Sequence, residues 1–156
     1  LEAKELLDVI SLQNVQKLSI ESSSKTVNLR SIKNVQQMEV EAKRSVVLGD
    51  IDTVGKLEIT SEKGNITANS LTGIKEATFD NELDVAIISA TKIDRLNLIS
   101  KRSSVSIENL SESRDIQLNA RLNIDIKDAH LVGRQPALPV VTEPFAFLER
   151  AGRGDG

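Results

Sequence analysis

One pattern restricts this chain more than any other: six apolar positions recur at a pitch of nineteen to twenty residues. The first ladder reads Val15, Val35, Val54, Ile74, Ile93, Ser113, and the second Leu18, Met38, Leu57, Ala77, Leu96, Ile116. The third reads Ile20, Val40, Ile59, Phe79, Leu98, Leu118, and the fourth Val27, Val46, Ile66, Val85, Val105, Ile124. Leu29, Leu48, Ala68, Ile87, Ile107, Ile126 form the fifth, and Ile32, Ile51, Leu71, Ala90, Leu110, Ala129 the sixth. Only Ser113 departs from the rule, and Leu7, Val9 and Leu12 supply a half repeat in front. Self-similarity at such a period marks a stacked-repeat architecture.

Spacing within each repeat sets the conformation. Leu18-x-Ile20 and Val27-x-Leu29 alternate with period two, as a strand with one buried face does. Six residues rich in Ser, Lys, Glu and Gly lie between them and predict a turn. From the sixth ladder to the next first ladder the spacing is apolar-x-x-apolar, which suits a less regular third side or a single helical turn. About 20 residues at ~3.3 Å each give a perimeter near 65 Å, enough for three short sides. One coil buries too little to offset the entropy of ordering it, so neighbours must stack. The fold expected is all-β: a β-solenoid, or parallel β-helix, of at least six coils over residues 1–131. Residues 132–156 hold all three prolines and leave the register. They are expected to form an irregular segment, with Leu138, Val140, Val141, Phe145 and Leu148 folding over the last coil and a flexible tail after them.

A small polar row, Ser11, Ser31, Asp50, Ser70, Ser89, Asn109, Asp128, precedes the sixth ladder. Such side chains bond local backbone and suit a corner; serine interrupts the acids too often for a row of cation sites. The apolar spacing around Ile32 to Val40 also fits a leucine-rich repeat. The row where that fold places Asn reads instead Ser23, Lys43, Glu62, Glu82, Lys101, Arg121.

Composition narrows the function classes. The chain has no Cys, Trp or Tyr and three Phe, with 20 basic and 23 acidic residues and a net charge of -3. Disulfide frameworks, cysteine nucleophiles and aromatic platforms are excluded, and the overall balance does not suit nucleic acid. No apolar run approaches the ~20 residues of a membrane span. The start at Leu1 suggests a processed or excised piece. Asp50, Asp52, Asp84 and Asp94 do not recur in pairs on adjacent coils, and His130 is the only histidine. No catalytic residue, cofactor or metal is therefore expected. Asn65-Ile66-Thr67 and Asn109-Leu110-Ser111 match glycosylation acceptors, and Arg153-Gly154-Asp155 matches the integrin-recognised tripeptide.

LSIESSSKTVNL at 18–29 and LEITSEKGNI at 57–66 resemble the coils of sarcoglycan ectodomains, and IDIKDAHLVG at 124–133 resembles the end of that solenoid. Bacterial adhesin solenoids are similar nearly to the same degree. The resemblance implies a non-enzymatic, extracellular or cell-surface subunit of a membrane complex that meets protein partners or matrix. The residues themselves predict a structural or interaction module whose partner contacts run along Lys43, Glu62, Glu82, Lys101 and Arg121. Two alternatives stay open: a self-assembling, filament-forming cytoskeletal solenoid, and a carbohydrate-active β-helix enzyme.

Overall fold

The computed structural model describes residues 7–130 in full. It also describes the short strands Glu2–Ala3, Val140–Val141 and Leu148–Arg150. Five strands of 16 residues follow one another: β2 (Leu7–Ser22), β3 (Val27–Ala42), β4 (Val46–Ser61), β5 (Ile66–Asn81) and β6 (Val85–Ser100). β1 (Glu2–Ala3) precedes them, and β7 (Val105–Ser111), β8 (Asp115–Ala120) and β9 (Ile124–His130) complete the stack. Every pairing is parallel and joins a residue to its equivalent one coil away, as in Leu18↔Met38, Met38↔Leu57 and Leu57↔Ala77. The architecture is a β-solenoid of about six turns with no helix among the described residues.

The ladders are the core. From Leu18 to Ile124, every ladder residue is buried, and Phe79 is the largest fully enclosed side chain. The half repeat at Leu7, Val9 and Leu12 is partly buried, as are Val15 and Ile126. Ala129, expected inside, is exposed, because it stands on the last described coil. Ser113 is buried yet satisfied: its hydroxyl donates to Ser111 O at 3.1 Å and accepts from Ile93 N at 3.4 Å. The strand breaks into β7 and β8 around this residue.

The apolar-x-x-apolar segment is not a helical turn. It stays in the extended strand and bends through one left-handed residue per coil: Asn14, Asn34, Thr53, Gly73, Lys92 and Glu112, with φ between 50 and 64°. Asn and Gly suit that conformation, and Asn34 Nδ2 donates to Asn14 Oδ1 at 3.2 Å on the preceding coil. Thr53, a β-branched residue, is the poorest fit, and its hydroxyl offsets this only by an exposed bond to Asp52 Oδ1. Thr53→Asn should therefore stabilise the protein by about 0.5–1 kcal/mol. A thermal melt no higher than wild type would contradict the strain.

The turns are tighter than the six residues expected and explain the alternation of the pitch. Each long strand is constant in length, while the turns alternate between four residues (23–26, 62–65, 101–104) and three (43–45, 82–84, 121–123). A buried residue introduces each turn: Ser22, Ser61 and Ser100 before the long turns, and Ala42, Asn81 and Ala120 before the short ones. The buried serine hydroxyls find their partners in turn carbonyls. Ser22 Oγ donates to Lys25 O at 3.0 Å, Ser61 Oγ to Arg44 O at 2.7 Å, and Ser100 Oγ to Leu83 O at 2.7 Å. The last two bonds tie a long turn to the short turn before it. The structural unit is thus a pair of coils.

The C-terminal strands add to the stack. β10 (Val140–Val141) pairs with Asn119–Ala120 and β11 (Leu148–Arg150) with Ile124–Ile126, both parallel. The other residues beyond His130, among them Leu138, Phe145 and the Arg153-Gly154-Asp155 tripeptide, lie outside the described residues.

Candidate functional site

With the ladders turned inward, chemistry is left to the walls and the turn edge. Lys43, Glu62, Glu82, Lys101 and Arg121 each open a turn, and the fold brings them into one row. Their backbone N–H groups donate to the coil below: Lys43 N to Ser22 O, Glu62 N to Ala42 O, Glu82 N to Ser61 O, Lys101 N to Asn81 O and Arg121 N to Ser100 O, at 2.9–3.3 Å. Their side chains do not behave alike. Lys101 Nζ lies 2.7 Å from Asp80 Oδ1 and 3.9 Å from Glu82 Oε1. The bond to Asp80 raises the Lys101 pKa above its ordinary value, against the opposing effect of partial desolvation. Lys43 forms no ion pair with a described residue.

The second and third turn residues matter more than the first. Between the turns at 23–26, 43–45 and 62–65 lies a depression of about 570 Å³. Lys43, Arg44 and Lys63 line it together with the hydroxyl residues Ser23, Ser24, Thr26 and Ser45. Gly64 makes the arrangement compatible with close stacking: a Cβ there would stand 2.1 Å from Ser45 N and 2.5 Å from Arg44 C. Ser45 Oγ accepts from Asn65 N at 3.2 Å, which fixes the floor between the two turns. Glu62 is the single carboxylate in these three turns and is not part of the lining. Sequence reasoning on the opening residue of each turn passed over Arg44 and Lys63. Their signal in the sequence is the basic pair Lys43-Arg44 and the lysine beside a glycine, Lys63-Gly64.

The wall next to this edge has the opposite sign. Glu39, Glu41, Glu58 and Asp80 flank a smaller hollow of about 260 Å³, with Thr60 and Thr78 between them. Lys56 Nζ meets Glu58 Oε1 at 2.8 Å at its border, and this bond raises the lysine pKa. Elsewhere opposite charges stack coil upon coil. Arg95 lies between Glu76 at 3.6 Å and Asp115 at 3.8 Å, and Lys127 meets Glu108 at 3.0 Å.

The residues weighed for catalysis have structural partners. Asp50 Oδ1 accepts from Asn69 Nδ2 at 3.1 Å, and Asp52 Oδ1 from Thr53 Oγ1 at 3.0 Å. Asp84 Oδ1 accepts from Ser104 N at 3.1 Å and from the Ser103 hydroxyl, bracing the next turn. Asp94 pairs with Arg114 at 3.9 Å, and exposed His130 lies 3.5 Å from Asp128. Both glycosylation-type asparagines, Asn65 and Asn109, are exposed. Among the described residues no group of three or more His, Asp or Glu could hold a metal, and no helix is long and apolar enough to cross a membrane. No protein-family model, curated protein or solved structure matches this chain.

Proposed function

We propose that this chain is a non-catalytic interaction module: a stacked rod, displayed at the cell surface or outside it, that engages protein partners through its long faces. The observation that supports this reading best is the segregation of charge. The acidic wall at Glu39, Glu41 and Glu58 adjoins the basic edge at Lys43, Arg44 and Lys63, each contributed by two adjacent coils. Parallel coils stand ~4.8 Å apart, so these charges form a fixed pattern. Such a pattern selects a partner and its register more than it stabilises the fold. The resemblance of the coils to sarcoglycan ectodomains and bacterial adhesin solenoids fits a scaffold of this kind within a membrane complex or against matrix.

The test reverses the wall. Glu39→Lys, Glu41→Lys and Glu58→Lys together should leave the melting temperature within a few degrees of wild type. Partners recovered by cross-linking from intact cells of the native source should be lost at low salt. Recovery of the same partners by the reversed protein, in the same amounts, would exclude this wall as the binding face.

A further inference from the structure

We propose that the depression between the turns at 23–26, 43–45 and 62–65 is a binding site for a ligand carrying two or more sulfate or phosphate groups. Three features point to it. The first is an excess of like charge that the fold does not use. Seven cations on the coils are paired with a carboxylate of the same or the next coil, as Arg30 is with Asp8 at 2.9 Å and Lys101 with Asp80. Lys43, Arg44 and Lys63 stand together with no ion-pair partner among the described residues. Arg44 and Lys63 stand on neighbouring turns as like charges, and an anion bound between them would relieve their repulsion.

The second feature is the donor set. An ammonium, a guanidinium and an ammonium converge with the hydroxyls of Ser23, Thr26 and Ser45 on one concavity. Lysine and arginine offer donors only, and hydroxyls can turn to donate. That is the complement of a tetrahedral oxyanion, whose oxygens only accept. The third is scale. The lining spans three coils, two steps of ~4.8 Å, or about 10 Å. One sulfate or phosphate cannot bridge that length, whereas a ligand with several such groups can. The volume of about 570 Å³ falls in the usual range for small-ligand sites. The site is separate from the acidic wall, and its failure would leave the interaction-module reading untouched.

The site is tested by calorimetric titration of the full chain with three probes at low ionic strength: inorganic phosphate, tripolyphosphate and sucrose octasulfate. Tripolyphosphate or sucrose octasulfate should bind at least tenfold more tightly than inorganic phosphate. Preference between these two distinguishes a phosphorylated source from a sulfated one. Lys43→Ala, Arg44→Ala and Lys63→Ala together should weaken the tighter probe at least tenfold, with the circular dichroism spectrum of the free protein unchanged and its melt no lower than wild type. Arg44→Ala alone should weaken it less. Lys101→Ala, which removes a cation already held by Asp80 and Glu82, should leave the affinity as it was. The proposal is overturned if neither multivalent probe binds, or if neither exceeds inorganic phosphate tenfold. It is also overturned if the triple variant binds like wild type, or if Lys101→Ala weakens binding as much as the triple variant does.

Discussion

Ile59→Asp is expected to unfold the protein or bring it to the edge of unfolding. Ile59 is 1% exposed and lies in register between Val40 and Phe79, so every direction open to its side chain is apolar. An aspartate there loses the packing of the isoleucine and buries a carboxyl without a partner. The cost is at least about 4 kcal/mol, set against the 5–15 kcal/mol that holds a typical domain together. Protonation of the new carboxyl would reduce the penalty without removing it. Thr67→Asp, which adds the same group at an exposed outward position, should change stability by less than about 0.5 kcal/mol. Urea unfolding of the two variants side by side measures the contrast. Equal midpoints would mean that the inward and outward faces are misassigned.

Excision of residues 35–73 should leave a shorter protein that still folds. The cut removes 39 residues and joins left-handed Asn34 to Ile74, the next member of the first ladder. It also keeps a long turn (23–26) followed by a short one (82–84). Two lost coils at roughly 0.05–0.15 kcal/mol per residue should lower stability by about 2–6 kcal/mol. Removal of residues 35–53 alone keeps the ladders but sets two long turns in succession. It deprives Ser61 of the Arg44 carbonyl 2.7 Å away, so it should cost more per residue removed. Removal of residues 35–64 shifts the ladders out of register and should abolish the fold. Circular dichroism melts of the three deletions check the order. If the 39-residue deletion were no more stable per residue than the 19-residue one, the coil pair would not be the unit.

The spines of the core were legible because their signal is hydrophobic and repeats at fixed offsets. Val40, Ile59 and Phe79 differ in shape but not in their response to water. The corner was not legible, because Asn14, Thr53, Gly73 and Lys92 share only a backbone angle, and only glycine and asparagine advertise it. The row at Ser22, Ala42, Ser61 and Asn81 was hidden for a related reason. These residues look like the start of a polar loop, and Ser22, Ser61 and Asn81 can be buried because their side chains meet carbonyls that only the folded turn presents to them. At the candidate site, the charged row could be read from Lys43 to Arg121. The hollow could not, since it depends on how closely Gly64 lets one turn approach the turn below.

The stacking direction also decides how the rod would carry tension. Its strands run across the long axis, so the hydrogen bonds of every parallel pairing lie along that axis. A pull on the two ends loads the pairings in series, and the terminal coil gives way before those behind it feel more force. Each coil that peels off exchanges about 4.8 Å of rod for roughly 65 Å of extended chain. A tether of this kind lengthens in steps of nearly equal size, holding its load close to constant while it extends, where a strand-aligned sandwich would resist and then fail at once.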